Sequence, residues 1–291
     1  MSGQHAGEPG SRAAVLGSPV AHSLSPVLHR AAYSTCGLSW DYSAIECDEG
    51  GLPTLLARVR VEPGWRGLSL TMPLKIVAVS LVDSISAEVA VVGALNTIVV
   101  SEVGGSVELA GHNTDIAGVR AAVLEGGVKR PLLPVVLGAG GTARAALAAL
   151  AGLGSPAVVV VARDVHRAAL LTGVGERAGI AVRPVAWSAA SGAINSADVV
   201  VATTPKGATD GLCGGGWPTG VPLVDVLYDP WPTALAAYAA AHRASIVGGM
   251  AVLTHQAGAA FTLMTGLPAP TDAIRSAGER ALAGRKAAVD R

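Results

Sequence analysis

Apolar and polar positions along the chain fall into short blocks that switch between the period of a strand and that of a helix. Ala13–Leu16 is a short apolar strand. Pro26–Cys36 carries a helical period, with Ser25 as N-cap, Pro26 at the first helical position and Gly37 as the stop. Trp40–Ile45 and Gly67–Leu70 read as strands around a helix over Leu52–Val59, and Lys75–Val82 reads as a helix after Pro73. Thr97–Val100 and Val107–Leu109 predict a hairpin about Gly104 and Gly105. Such alternation predicts an α/β domain with a largely parallel sheet.

After Gly111 the pattern changes. Ile116–Leu124 is helical, Val135–Leu137 is a buried strand, and a Gly-Ala-Gly-Gly turn opens an Ala/Leu helix running to about Leu150. Ala157–Val161 is the next strand, followed by a helix to Ala178, another near Ser188–Asn195, and strands at Asp198–Ala202 and Leu223–Val226. This order predicts a doubly wound, Rossmann-type domain. Ala251–Leu263 and Thr271–Lys286 are helical. No internal repeat is visible.

The chain has 291 residues, a length that suits about two domains. Hydrophobic residues make up 51% and charged residues 14%, which excludes a disordered chain. Lys plus Arg and Asp plus Glu both number 21, so no basic field favours nucleic acid or an anionic membrane. Mean hydropathy is +0.48, but the longest apolar run, Ala145–Ala162, is cut by Gly152, Gly154, Ser155 and Pro156, so it reads as helix, turn and strand rather than a span. Cys36, Cys47 and Cys213 make no CxxC pair and no zinc spacing, which suits a reduced, cytoplasmic protein without a metal. Met1–Arg12 is polar, lacks the pattern of a secretory signal, and reads as a loose terminus.

Gly138, Ala139, Gly140 and Gly141 follow a strand and open a helix, where backbone N–H groups can approach a pyrophosphate. The spacing fits GxGxxG only in part. At the end of the next strand stand Arg163 and, one turn on, Arg167, which favour the 2′-phosphate of NADP. Asp164 between them either repels that phosphate or caps the following helix. Lys75, in a lysine-poor chain, follows a strand among apolar residues. It is a candidate proton donor or base, or else a snorkelling surface lysine. Asp115 precedes a helix and can act at its N-terminus. Ser23, Ser25, Asn96 and Thr97 are neutral hydrogen-bonding groups. Together with one lysine and one aspartate they suit a small polyhydroxylated acid.

Taken in order, these motifs resemble the shikimate dehydrogenase family. The resemblance is carried by Gly17 through Pro26, Ser69 through Lys75, Gly93 through Thr97, Gly111 through Gly118, Gly138 through Gly141, Thr204 through Gly207, Asp225 through Pro230 and Gly249 through Gln256. It covers about Val15 to Gly266. It implies NADPH-dependent, reversible reduction of 3-dehydroshikimate to shikimate in the shikimate pathway of aromatic amino-acid biosynthesis. Lys75 and Asp115 are then the catalytic pair. Ser23, Ser25, Thr71, Asn96 and Gln256 hold the substrate, and Tyr228 joins them where substrate and nicotinamide meet. Gly138 through Gly141, Arg163, Arg167, Thr203 and Gly249 serve the cofactor.

The expected layout is a substrate domain over 13–111, an NADP domain over 112–249 and C-terminal helices over 250–291 returning to the first domain. The expected protein is a cytoplasmic monomer or homodimer. Four residues depart from the family pattern: Ser69 for the usual Asn, Ala162 for Asn, Asp164 for Thr or Ser, and Val252 for Met. Alternatives are a quinate/shikimate dehydrogenase using NAD, or a non-catalytic shikimate-binding homologue.

Overall fold

The computed structural model describes residues 10–289, which divide into two units: the chain up to Thr114 together with the chain from Thr254, and Asp115–Leu253. In the first unit the elements run β1 (Arg12–Gly17), α1 (Ser25–Thr35), β2 (Asp41–Glu46), α2 (Leu52–Val61), β3 (Trp65–Leu70), β4 (Ser84–Ile85), α3 (Ala87–Val92), β5 (Thr97–Val103) and β6 (Ser106–His112). The sheet order is β2-β1-β3-β5-β6-β4. β2, β1 and β3 are parallel, whereas the β5–β6 hairpin is antiparallel internally and to β3. One face buries Leu16, Leu68, Leu70, Ile98 and Leu109 against Leu52, Leu56 and Val59 of α2. The expected loose terminus falls largely on residues 1–9, outside the described range. Ser11 is buried, and Arg12 already belongs to β1, its guanidinium lying 4.5 Å from the centre of the Trp65 ring and bonded to Glu62 at 3.1 Å.

The second unit runs α4 (Asp115–Glu125), β7 (Pro134–Leu137), α5 (Gly141–Gly152), β8 (Ala157–Ala162), α6 (Val165–Ala169), α7 (Thr172–Ala178), β9 (Ala181–Ala186), α8 (Ala190–Asn195), β10 (Val199–Ala202), β11 (Leu223–Asp225), α9 (Ala234–Ala241), β12 (Ile246–Val247) and α10 (Gly249–Thr265). The chain rejoins the first unit within α10 and ends in α11 (Thr271–Val289), which packs on α1. The sheet is wholly parallel, in the order β12-β11-β10-β7-β8-β9. The order reverses between β7 and β10. In open parallel sheets, ligands bind beyond the carboxyl ends of strands at that point.

Three expectations fail locally. Lys75–Val82 is not an α-helix: turns lead into one 3₁₀ turn at Val77–Ser80. The Lys75 carbonyl accepts from Leu95 N–H at 2.8 Å, and Val79 N–H turns to Ile76 instead, so the 75→79 bond of an α-helix does not form. Ser25 does not cap α1. It is the first helical residue, and Leu24 stands at the N-cap with no side-chain bond. The helix expected to reach Ala178 breaks at Leu170 into α6 and α7.

Candidate active site

The end of β3 is the anchor of the first unit's polar residues. Thr71 N–H donates to Leu16 at 2.8 Å and Leu70 N–H to Asn96 at 2.7 Å, so the segment from Thr71 to Lys75 and the Leu95–Asn96 corner are joined through the backbone. Gly17 is required here, because a Cβ would overlap Thr71 Cγ2. Ser18 N–H donates to Met72 at 3.0 Å, and the Glu46 carboxylate accepts from Val20 N–H at 3.0 Å. The Ser18 hydroxyl and the Val20 N–H hold the Glu46 carboxyl below its ordinary range. The loop so fixed leads to Ser23, whose Oγ accepts from Ser25 N–H at 3.2 Å and keeps its own proton for another acceptor. Arg285 of α11 donates to the His22 carbonyl at 3.0 Å and clasps the same loop. Ser25 is buried, while Thr71, Lys75 and Gln256 are half-buried.

Asn96 is held in the corner by three bonds. Its Oδ1 accepts from Thr114 N–H at 2.7 Å and Thr97 Oγ1 at 3.1 Å, and its Nδ2 donates to Thr114 Oγ1 at 3.0 Å. Asn113 Nδ2 donates to the Ala94 carbonyl at 2.9 Å. These bonds fix the corner that ends at Asp115, which is 1% exposed and opens α4, where a carboxylate complements the positive end of the helix.

In the second unit the glycine turn follows β7. Gly138 has φ +114°, and a Cβ there would lie 2.6 Å from Thr203 Oγ1. Thr203 N–H and Oγ1 both donate to the Leu137 carbonyl, at 2.8 and 2.9 Å, so Thr203 fastens the end of β10 to the turn. Gly140 stands at the N-cap of α5 with no side-chain cap and open space where a Cβ would be; Ala139 and Gly141 flank it, both half-buried. Amide donors at an uncapped helix start can hold a phosphate. Arg163 and Arg167 are exposed at the end of β8 and in α6. Asp164 is the N-cap of α6, accepting from His166 N–H at 2.9 Å and Arg167 N–H at 3.4 Å.

Tyr228 and Gly249 are brought together through Leu227: Gly249 N–H donates to the Leu227 carbonyl at 3.0 Å, and a Cβ on Gly249 would overlap the Val226 carbonyl. Asp225 fixes the approach to Tyr228 by accepting from Leu227 N–H at 3.1 Å and from Thr233 Oγ1 at 2.7 Å. Burial raises its pKa, against the pull of those two bonds.

Comparison with known proteins bears on these sites. Residues 15–98 match the family model described as the shikimate dehydrogenase substrate binding domain. The curated shikimate dehydrogenase (NADP(+)) of Moorella thermoacetica is 35% identical, over 88% of this chain and 88% of that protein. The chain belongs to the shikimate dehydrogenase family. Among solved structures, the shikimate dehydrogenase of Mycobacterium tuberculosis is 39% identical with a TM-score of 0.83, covering 93% of this chain and 99% of that one. That of Thermus thermophilus, in complex with NADP(H) and shikimate, is 34% identical with a TM-score of 0.80, covering 93% and 99%.

Against the family pattern, Ser69 proves to be partnered: its Oγ accepts from the buried Tyr42 hydroxyl at 2.7 Å. Tyr42, Glu46, Asp225 and Arg285 are the structural supports that the sequence reading missed. Only Asp225 lay inside a recognised motif. The other three act through bonds to segments remote in sequence. Among the described residues, no helix is long and apolar enough to cross a membrane.

Proposed function

We propose that this protein catalyses the reversible, NADP-linked interconversion of 3-dehydroshikimate and shikimate, in the pathway to the aromatic amino acids. The observation that carries the reading is the near-complete coverage of dehydrogenase relatives whose structures hold NADP(H) and shikimate. NADP fits what this chain offers. The turn at Gly138 keeps side chains out, the start of α5 carries no side-chain cap, and two arginines stand at the end of β8. Gly138 through Gly141 hold the pyrophosphate, Arg163 and Arg167 the 2′-phosphate, and Thr203 and Gly249 shape the backbone around the dinucleotide. Asp164 Oδ1 is turned to the start of α6, where it accepts from the His166 and Arg167 N–H groups.

NADPH, when bound, supplies the hydride that reduces the ketone carbon. This chain's residues bind, orient and manage the proton. Lys75, as an ammonium, polarises the ketone oxygen and delivers or relays its proton. Asp115 accepts a bond from a substrate hydroxyl. Ser23, Ser25, Thr71, Asn96 and Gln256 bind the hydroxyls and carboxylate of the acid. Asn96 also holds Thr114, the residue before Asp115. Free cysteines at 36, 47 and 213 suit a reducing cytoplasm. The test is to mix the protein with 3-dehydroshikimate and NADPH and to identify the product. Shikimate formed in step with NADPH loss supports the reading. Binding of 3-dehydroshikimate without turnover would instead make the protein a non-catalytic homologue.

A further inference from the structure

We propose that Tyr42 is a positioning residue for substrate recognition: its phenol holds the Ser69 hydroxyl in place as a hydrogen-bond donor to the bound hydroxy acid. The proposal rests on the reading given under Proposed function. Tyr42 lies on β2 and Ser69 on β3, on opposite sides of β1. In register, Ala13 pairs with both Tyr42 and Gly67, and Val15 pairs with Ser69. Paired residues of parallel strands share a face, so Tyr42 and Ser69 are diagonal neighbours across β1. Ala13, which faces Tyr42 on β1, is small, and this lets the phenol cross β1 to reach Ser69 Oγ at 2.7 Å, while Met264 fills the space over Gly67. Thr71 follows Ser69 by two residues, so strand alternation carries this face of β3 on toward a residue of the proposed substrate site.

The two hydroxyls differ in surroundings. Tyr42 is fully buried, with His29 stacked on its ring at 4.1 Å and 8°. Ser69 is only half-buried, so it is the end of the pair that a ligand can meet. A phenol is a stronger proton donor than an aliphatic alcohol, and burial pushes the Tyr42 hydroxyl well above its ordinary titration range, keeping it protonated. With Ser69 Oγ already accepting, the serine's own proton is left for an acceptor on the ligand. Ser23 has the same arrangement, accepting from Ser25 N–H and retaining its own O–H. The site therefore presents hydroxyls that each already accept one bond and keep their proton to donate, which suits the acceptor oxygens of a carboxylate.

The test is a double-mutant cycle of Y42F, S69A and Y42F/S69A, measuring KM and kcat for shikimate, KM for NADP, and shikimate affinity by calorimetry. S69A is expected to raise KM for shikimate roughly 2- to 12-fold, the worth of one hydrogen bond, with kcat within about twofold. Y42F should shift it in the same direction, and the double variant should match S69A, because Tyr42 acts only through Ser69. NADP KM should not move. An unchanged KM in S69A, or a double variant weaker than S69A, overturns the proposal. Y42F leaves only the half-buried Ser69 without its partner, so its KM and shikimate affinity decide the matter even where S69A, which strands the buried Tyr42 hydroxyl, is unstable. A wild-type protein that does not oxidise shikimate with NADP refutes the functional reading. An active wild type whose Y42F variant binds shikimate normally refutes only the role of Tyr42.

Discussion

Replacing Arg163 by alanine tests the cofactor assignment where the charges conflict. A guanidinium on a phosphate dianion contributes about 1.5–3 kcal/mol. Arg163 is exposed at the end of β8, so solvent screening favours the low end of that range. About 1.5 kcal/mol is roughly one decade in kcat/KM. Arg163→Ala should therefore lower kcat/KM for NADP about tenfold and leave NAD within about twofold. Asp164 supplies the control. Its carboxylate accepts two backbone N–H bonds at the start of α6, at 2.9 and 3.4 Å. Serine can make the same cap, so Asp164→Ser should change neither cofactor. Asp164→Ala should lose about 0.5–2 kcal/mol of stability, read as a lower Tm, with cofactor preference intact. Steady-state kinetics with both nucleotides and thermal melts of the three variants provide the readouts. An Asp164→Ser variant that gains about tenfold with NADP would place the carboxylate on the phosphate and refute the capping argument. An Arg163→Ala variant that weakens NAD and NADP alike would remove Arg163 from 2′-phosphate recognition.

Lys75→Ala should lower kcat for shikimate by at least ~10²-fold with a smaller change in KM, since a positioned acid–base group acts mainly in the transition state; near-normal kcat would take Lys75 out of the mechanism. Ser23→Ala and Gln256→Ala should instead raise KM for shikimate, each by the equivalent of about 0.5–1.5 kcal/mol, and normal calorimetric binding in both would show that the acid is held elsewhere. His29 is buried against Tyr42, and burial lowers its pKa from 6.5 to about 3. The unfolded chain takes up that proton first, so stability is lost as pH falls below about 6.5, reaching about 2 kcal/mol at pH 5 and levelling off near the folded value. Denaturant melts at pH 7 and pH 5 check this: His29→Phe should remove about 2 kcal/mol of the pH dependence, and an unchanged difference would show that His29 is not its source.

The strands were legible where burial on both faces concentrates β-branched residues, as in Val135–Leu137 and Ala157–Val161. The glycine turn was legible because its backbone forbids side chains at Gly138. β9 escaped because it contains Arg183 and Pro184, which a central strand would not tolerate; as the last strand of its sheet it can carry them. α9 escaped because an Ala-rich run shows little periodicity. The helix expected from Lys75 does not form, since the bond that stops it comes from Leu95 N–H. The bonds between Asn96 and Thr114 were not legible, because only the folded hairpin brings Thr114 against it. The Tyr42–Ser69 bond spans three strands, and no local pattern encodes it.

The central claim is tested most directly by following nicotinamide absorbance as the protein oxidises shikimate, with NADP and NAD and with quinate in place of shikimate. The account predicts turnover with shikimate and NADP, a kcat/KM at least ~10-fold higher than with NAD, and weaker activity on quinate, since one decade corresponds to about 1.4 kcal/mol at the 2′-phosphate. Turnover of quinate with NAD at equal or greater efficiency would contradict it.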